Sequence, residues 1–390
     1  MYNIMYNLNI CNSTKNEWSI VMRIILIKRN FKNLDIRLLI LIILISIFSI
    51  LNVYSTTYTL NGFYYAELQS TWVIIGFILI GVIILIDDAI ITNYSGWIYW
   101  ISVLLLTFND ITSKAVKGAS SWIRIGSRAI EPGEFVRIGL VLMLSKKIED
   151  MEGDINNFRN LSILCFYAFI PIFLIVVQPN LGLTLICFFI ALGIFFISDL
   201  NLKIIYTGII ASVPISLFIW FSGLLKTYQK ERIISFLNPE AFEQNIAFQL
   251  TQSMTAIGSG GLLGKGFLHG TLISGGFIPE VHTDFIFAAV GEEWGLIGAL
   301  VLITLYSFLI IRIIKISKES PTNMSKLVSV GVASSLIFSV FQNIGMTIGI
   351  MPIAGITLPF MSYGGSSIIA NFISIGLVLS LGMKKSKISF

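Results

Sequence analysis

The sequence has little charge, few cysteines and few histidines. Asp, Glu, Lys and Arg make up 12% of its 390 residues, whereas soluble domains carry about 25%. The three cysteines form no disulfide or metal-binding pattern, and the two histidines are too far apart in sequence to support a metal site. No nucleic-acid-binding motif accompanies the net charge of +5. These absences argue against a soluble domain, a disulfide-stabilised fold and a nucleic-acid partner.

Apolar residues dominate instead. They make up 55% of the chain, and the mean hydropathy is +0.86. Repeated apolar runs of about 20 residues are typical of membrane-spanning helices. The sequence therefore predicts an all-α polytopic membrane protein with about ten spans. They fall near residues 35–55, 70–87, 93–109, 134–150, 160–177, 181–199, 203–223, 284–314, 326–350 and 363–383, with the weakest signals near 93–109 and 134–150.

Basic residues in the short loops predict the orientation. With ten spans, these clusters all fall on one side, which the positive-inside rule makes cytoplasmic, together with both termini. We divide the chain into a cytoplasmic tail (1–34, with 1–21 a dispensable extension), a transmembrane domain (35–383) and a short basic tail (384–390). The clusters are Lys28, Arg29, Lys32 and Arg37; Lys146, Lys147 and Arg159; Arg312, Lys315 and Lys318; and Lys384, Lys385 and Lys387.

Two predicted outer loops, 108–133 and 224–283, are also rich in basic residues. An anionic ligand at the outer surface is the simplest explanation, because phosphate is matched by arginine forks and lysine point charges. The alternative is that long loops tolerate charge on either side. The basic residues are Lys114, Lys117, Arg124 and Arg128 in the first loop, and Lys226, Lys230, Arg232 and Lys265 in the second.

The second loop also predicts a helix on the membrane surface. Phe242, Ile246, Leu250 and Met254 recur every four residues, as in an amphipathic helix. The glycines of GSGGLLGKG (258–266) would end it. This segment resembles a phosphate-binding loop in composition but lacks the full motif. It is interpreted as a hinge, with backbone contact to an anion as the alternative.

The segment FIPEVHTDFIFAAVGEEWG (277–295) places acids beside an apolar run. Residues 294–314 are long enough to span a membrane alone, so Asp284 is expected at the outer start of a helix. Small residues on the same helix face, at Ala288, Gly291 and Gly295, would let a neighbouring helix or a lipid approach. Acids at membrane depth mark functional sites. The alternative is that Thr283 and Asp284 cap the helix.

Two further segments break the helical pattern on the same outer side. They are the turn VVQPNLGLT (176–184) and the loop MPIAGITLPFMSYGGSS (351–367). Irregular backbone at membrane depth must be buried in protein or line a cavity. All four unusual segments therefore point to one outward-facing site.

These segments carry a family resemblance. Over roughly residues 35–383, the chain resembles the SEDS (shape, elongation, division and sporulation) family, and its rod-shape branch more than its division or sporulation branches. The motifs are GASSWIRIG with EPGEF, QPNLG, FLNPE with TQSMTAIGSGGLLGKG, IPEVHTDFIFA with GEEWGLIG, and NIGMTIGIMPIAGITLPFMSYGGSS. Their order and spacing also agree with the family.

The resemblance implies a peptidoglycan glycosyltransferase. Such a protein polymerises lipid II at the outer face of the cytoplasmic membrane, with a class B penicillin-binding protein and the elongation machinery as partners. The family's essential acid falls on Asp284, and its other site residues fall on Trp122, Glu134 and Arg137. The departures from the family pattern are Glu131 for Gln, Gly133 for Ser, Asn180 for Asp and Asn238 for Asp.

The expected chemistry assigns Asp284 as the base that deprotonates the acceptor hydroxyl. Arg137, with Arg124 and Lys265 behind it, would stabilise the departing pyrophosphate. His282 is an alternative base or an orienting residue. Glu280 is also expected to bind substrate, as are Trp122 and Glu134. No cofactor is evident, although a divalent cation bridging an acid and the pyrophosphate remains open. The rival functions are a lipid II flippase and a scaffold for a partner enzyme.

Overall fold

A computed structural model describes residues 33–112, 122–125, 128–222, 227–237 and 246–383. The predictions for both tails, and those that concern Lys114, Lys117, Lys226, Asn238 and Phe242, lie outside the described residues. The side chains of Arg124 and Ile246 lie outside them as well, although the backbone at both positions is described.

The described chain forms thirteen helices and one two-stranded hairpin. In order they are α1 (Ile36–Asn61), α2 (Tyr64–Leu85), α3 (Asp88–Thr112), β1 (Ile123–Ile125), β2 (Arg128–Ile130), α4 (Pro132–Asp150), α5 (Phe158–Val177), α6 (Leu181–Ile197), α7 (Leu202–Phe221), α8 (Thr227–Leu237), α9 (Ile246–Ser259), α10 (Thr271–Ser274), α11 (Ile286–Glu319), α12 (Asn323–Thr347) and α13 (Gly365–Gly382).

The helical class predicted from the sequence is confirmed. Each of the ten predicted spans coincides with a long helix, namely α1 to α7 and α11 to α13. Within the described residues, seven helices are long and apolar enough to cross a membrane, and α6 is a shorter apolar helix. The count of ten spans and the placement of both termini in the cytoplasm stay predictions.

Helix α4 lies at the centre of the bundle. It packs against α3, α5, α6, α12 and α13, and most of its residues are buried, including Glu134, Arg137 and Ser145. A helix surrounded by protein does not need a uniformly apolar surface, because other helices rather than lipid cover its polar groups. This explains why the hydropathy signal near 134–150 is weak.

The two predicted outer loops contain more regular structure than the sequence indicated. In the first loop, α3 continues to Thr112, and β1 pairs antiparallel with β2 in the register Ile123↔Ile130, Arg124↔Ala129 and Ile125↔Arg128. This hairpin is a small exception to the all-α class. The second loop holds α8, α9 and α10. Helix α9 confirms a helix before the glycine-rich segment. Of its predicted apolar stripe, Leu250 is buried and Met254 is 37% exposed, and its placement on the membrane surface stays a prediction.

Helix α11 is broken at Gly295, where φ is 63° and ψ is −162°. The glycine-rich segment 258–266 fills this break. Lys265 and Gly266 donate backbone N–H groups to the carbonyls of Glu292 and Glu293, each at 3.0 Å. In return, Leu296 and Ile297 donate to the carbonyls of Gly261 and Leu262, at 2.9 and 3.2 Å.

The segment 258–266 therefore serves the backbone of a broken helix. Its amides at Lys265 and Gly266 are already bonded, which does not support the phosphate-loop alternative, and it is packed too closely to act as a free hinge. The predicted approach of a neighbour to the small residues of α11 is also observed. The end of α9 packs so closely that a Cβ atom at Gly291 would lie 2.7 Å from Ile257 Cγ1.

Candidate functional site

Four segments that the sequence singled out meet at one end of the bundle. The 176–184 turn joins the start of α4, where the Asn180 side chain donates to the Glu131 carboxylate at 2.9 Å. The start of α13 joins there too, since Glu131 N–H donates to Ser366 Oγ at 3.0 Å. The segment before α11 bonds to the 351–367 loop, where Tyr363 N–H donates to the His282 carbonyl at 2.8 Å. The predicted convergence of these segments is therefore present in the fold.

Asp284 lies in the turn that precedes α11. Its backbone is anchored by Asn343, whose side-chain amide donates to the carbonyls of Asp284 and Ile356, at 2.8 and 2.7 Å. The N-cap residue of α11 is Phe285, and no side-chain capping hydrogen bond forms there. The electrostatic capping of α11 considered for Thr283 and Asp284 does not depend on such a bond and stays a prediction.

The carboxylate of Asp284 shares a small space with Arg232 above Gly355. A Cβ atom at Gly355 would lie 3.6 Å from Asp284 Oδ2 and 3.8 Å from Arg232 Nη1. Gly355 has a positive φ of 67°, a conformation that glycine adopts without steric penalty. Backbone conformation therefore explains the glycine, since a Cβ atom there would make only ordinary van der Waals contact with both side chains.

Arg232 on α8 is the site residue that sequence reasoning did not single out. It was counted among the basic residues of the second loop but not assigned to the site. Its helix has no catalytic motif, and about 50 residues separate it from Asp284 in sequence. The available signal was a lone arginine just before FLNPE in a loop predicted to face outward. Side-chain proximity of this kind requires the tertiary fold.

Glu134 and Arg137 form a buried ion pair one turn inside α4. Arg137 Nη2 lies 2.8 Å from Glu134 Oε2, and Glu134 and Arg137 are only 5% and 4% exposed. The guanidinium also donates to Asn371 Oδ1 at 3.0 Å and to Ser335 Oγ at 3.5 Å. Arg137 is therefore a buried bridge between α4, α12 and α13, and its predicted contact with pyrophosphate requires these bonds to rearrange.

Two departures from the family pattern contact each other. Glu131 replaces an amide and Asn180 replaces an acid, so the pair keeps one carboxyl and one amide with their places exchanged. Burial and the nearby carboxylates of Glu134 and Asp284 raise the pKa of Glu131 well above its ordinary value. The hydrogen bond from Asn180 and the charge of Arg137 oppose this shift only in part. The third departure, Gly133, faces α6, where a Cβ atom would lie 2.6 Å from Leu183 Cδ1, the end of a flexible side chain that can shift.

His282, Glu280 and Trp122 are the remaining residues predicted for the site. The His282 ring packs against Tyr65 and Tyr363, with ring centroids 5.1 and 5.7 Å away. Glu280 accepts a hydrogen bond from Thr283 Oγ1 at 3.3 Å. Trp122 precedes β1 and is 41% exposed. The roles predicted for all three stay predictions.

Lys265 belongs to a separate cluster. Its ammonium lies 2.6 Å from Glu292 Oε1 and 2.7 Å from Thr271 Oγ1. The buried Glu292 carboxylate also accepts the backbone N–H groups of Leu272 and Ile273, at 2.9 and 3.1 Å. The acids of GEEWG thus hold α10 and the glycine-rich segment against α11. Glu293 does the same for α1 through a hydrogen bond from Ser55.

We expect Lys265→Met to lower stability without impairing substrate binding. The change leaves the buried Glu292 carboxylate without its counter-ion, which lowers the free energy of unfolding by about 2–3 kcal/mol. The measurement is the melting temperature in detergent. Lys315→Met is the matched control, because its pair with Glu319 is exposed at 3.8 Å and such pairs contribute little. A raised KM for the substrate in folded Lys265→Met protein would instead support the predicted ligand contact.

No group of three or more His, Cys, Asp and Glu side chains in the described part of the chain is arranged to hold a metal ion. The divalent cation considered from the sequence is therefore not assigned to a set of ligands and stays a prediction.

Comparisons with known proteins agree with the site motifs. The family profile FtsW/RodA/SpoVE, described as "Cell cycle protein", matches residues 32–387. The peptidoglycan glycosyltransferase MrdB of Escherichia coli K12 is 35% identical over 320 residues, covering 81% of this chain and 86% of that protein. A probable peptidoglycan glycosyltransferase FtsW of Haemophilus influenzae is 33% identical over 352 residues, covering 88% and 87%.

Solved structures show the same fold. A chain from a structure titled as a peptidoglycan synthase complex that coordinates polymerisation and crosslinking superposes with a TM-score of 0.78 at 27% identity, covering 90% of this chain and 97% of that one. The rod shape determining protein RodA of Thermus thermophilus gives a TM-score of 0.68 at 25% identity, covering 90% and 96%. With its matching motifs, its converging segments and these likenesses, the chain belongs to the FtsW/RodA/SpoVE family.

Proposed function

We propose that this protein is a peptidoglycan glycosyltransferase of the rod-shape type, which polymerises lipid II at the outer face of the cytoplasmic membrane. The observation that carries the proposal is the placement of Asp284 and Arg232 around one space above Gly355. The buried Glu134–Arg137 pair and Glu131 lie at the same end of the bundle. A division-type protein of the same family would use the same chemistry.

The reaction joins a sugar hydroxyl of one lipid II to the anomeric carbon of another. Asp284 accepts the hydroxyl proton as the oxygen attacks, and the bond to the donor's pyrophosphate breaks. The pyrophosphate leaves on its polyprenyl carrier with the electron pair of that bond. A single base with direct displacement predicts inversion at the anomeric carbon. Because pyrophosphate is already a good leaving group, it needs a nearby cation more than a proton.

Arg232 is the first candidate for that cation. It is half-buried and next to the Asp284 carboxylate, whereas Arg137 is almost fully buried and already bonded to three side chains. A planar guanidinium can bind two phosphate oxygens at once. Arg137 then acts beneath the site by neutralising Glu134, and direct contact with pyrophosphate remains its alternative role.

We expect Arg232→Ala to reduce turnover about 100-fold, the effect of losing one fixed group that stabilises transition-state charge. Arg232→Lys is expected to recover part of the loss, because a point charge replaces the fork. The measurement is the rate of glycan formation from purified lipid II. Lys230→Ala is the matched control on the same helix, since its ammonium lies over the Trp220 ring at 5.7 Å. An unchanged rate in folded Arg232→Ala protein would contradict this role.

The proposed function is tested with the protein purified alone and together with its cognate class B penicillin-binding protein. This partner is proposed because the chain is similar to a chain from a peptidoglycan synthase complex that coordinates polymerisation and crosslinking. Lipid II is added, and glycan polymer is sought on a gel. Polymer formation supports the proposal. Absence of polymer from the pair, with lipid II instead crossing vesicle bilayers, would support the flippase.

A further inference from the structure

Glu131 sits where three segments of the site meet. It is the residue before α4, it accepts a hydrogen bond from Asn180 at the start of α6, and its N–H bonds to Ser366 on α13. The two groups that bond to Glu131, the Asn180 amide and the Ser366 hydroxyl, are both uncharged. They hold Glu131 in place without supplying a counter-ion, which a carboxylate in such a position requires.

Carboxyl groups outnumber guanidinium groups at the described part of the site once Glu131 is counted. In the described part of the site, the carboxyl groups of Glu131, Glu134 and Asp284 face the guanidinium groups of Arg137 and Arg232. Glu134 is committed to Arg137 at 2.8 Å, and Asp284 shares its space with Arg232. Two carboxylates balance two guanidiniums. Among these described groups a third negative charge would have no cation to match it, and like charges at close range disfavour joint ionisation.

We propose, building on the proposed function, that Glu131 is a positioning residue that works in its uncharged form, keeping the space around Asp284 open to the anionic donor. As an uncharged carboxyl, Glu131 accepts the hydrogen bond from the Asn180 amide through its carbonyl oxygen. In this form it does not repel the pyrophosphate. Once it loses its proton, its negative charge repels the pyrophosphate of the donor.

The consequence for pH follows from the sign of the shift. Burial and the neighbouring carboxylates raise the pKa of Glu131, so the uncharged form persists above the pH at which an ordinary glutamate ionises. Polymerisation should therefore fall on the alkaline side as Glu131 ionises, mainly through a higher KM for lipid II. The fall comes from one group and should follow a single titration.

Two variants separate this role from simple packing. Glu131→Gln keeps the size and an acceptor for Asn180 but cannot ionise, so it should remove the alkaline fall. Asn180→Ser keeps a side-chain oxygen that can cap α6, as Asn180 does for Leu183 N–H at 3.1 Å. It removes the amide donor that favours the charged form of Glu131, so it should move the fall to higher pH.

The experiment measures the rate of polymer formation by the complex with its penicillin-binding partner, using purified lipid II, from about pH 5.5 to about 9.5, which brackets the raised carboxyl pKa values found in proteins. Glu67→Gln is the matched control, because Glu67 is an exposed acid in the first turn of α2. We expect wild type and Glu67→Gln to lose about tenfold at the alkaline end, and Glu131→Gln to stay within about twofold of its neutral rate.

Several outcomes overturn the inference while leaving the proposed function intact. They are a wild-type rate that does not fall, a fall that persists unchanged in Glu131→Gln, and a folded Glu131→Gln protein that is inactive at every pH. Folding is checked by the melting temperature of each variant. Absence of polymer from wild type at every pH would instead remove the proposed function, and this inference with it.

Discussion

Asp284→Asn is expected to abolish glycan polymerisation while leaving the fold in place. The amide is nearly the same size as the carboxylate but cannot accept a proton from the attacking hydroxyl. A positioned base accounts for about 10²–10⁴ in rate, and the lost charge next to Arg232 adds to the effect. The structural anchor of this residue is its backbone carbonyl, which Asn343 holds, so the substitution leaves that contact intact.

The measurement is polymer formed from lipid II by the purified complex, with the melting temperature recorded in parallel. Asp150→Asn is the matched control, since Asp150 is an exposed acid at the opposite end of the bundle, where α4 ends. It should retain full activity. If folded Asp284→Asn protein polymerised lipid II at the wild-type rate, Asp284 would not be the base, and His282 would become the first candidate.

The second large effect is expected at the break in α11. Gly295→Ala should destabilise the protein by about 3 kcal/mol or more, because the glycine has φ 63° and ψ −162°, a region that side chains strongly disfavour. A Cβ atom there would also lie 2.7 Å from the Leu262 carbonyl oxygen. Gly264→Ala should act similarly, since φ is 79° and its Cβ atom would lie 2.7 Å from Gly295 N.

These losses are measured as melting temperature and as the fraction of monodisperse protein after extraction. Gly258→Ala is the matched control in the same glycine-rich segment. It lies within α9, nothing is within 4 Å of its would-be Cβ atom, and alanine favours a helix by about 1 kcal/mol over glycine. It should be neutral or stabilising. Equal tolerance at all three glycines would show that the segment does not brace the broken helix.

The helices could be predicted from the sequence, because long apolar runs have few other solutions in a membrane. The end of α9 was also readable, since glycines follow its last turn. The convergence of the four segments followed from the common side predicted for them and from the rule that irregular backbone must be buried or line a cavity. These inferences depend on local sequence and on simple topology.

The pairings across the fold could not be predicted in this way. Lys265 looks like a phosphate ligand in sequence, yet Glu292, 27 positions later, neutralises it. The position of Arg137 near the start of a helix predicts an accessible side chain, yet Arg137 is buried and hydrogen-bonded to Asn371 and Ser335. Arg232 belongs to no site motif in the sequence, and only the tertiary fold places it near Asp284. Each outcome depends on which distant side chain arrives, and hydrophobic periodicity carries no information about that.

The buried pair in α4 also bears on how the protein is made. In the topology predicted from the sequence, α4 is a span that carries an arginine near its start, and inserting an arginine is unfavourable, by up to about 2.5–3.5 kcal/mol at a helix centre. Asn371, the strongest outside partner of Arg137, is synthesised 234 residues later. During that interval Glu134, one turn away on the same helix, already supplies a counter-charge for the guanidinium. The ion pair thus makes α4 tolerable to the bilayer during synthesis, and chains that stop before α12 should be preferred targets of membrane proteases.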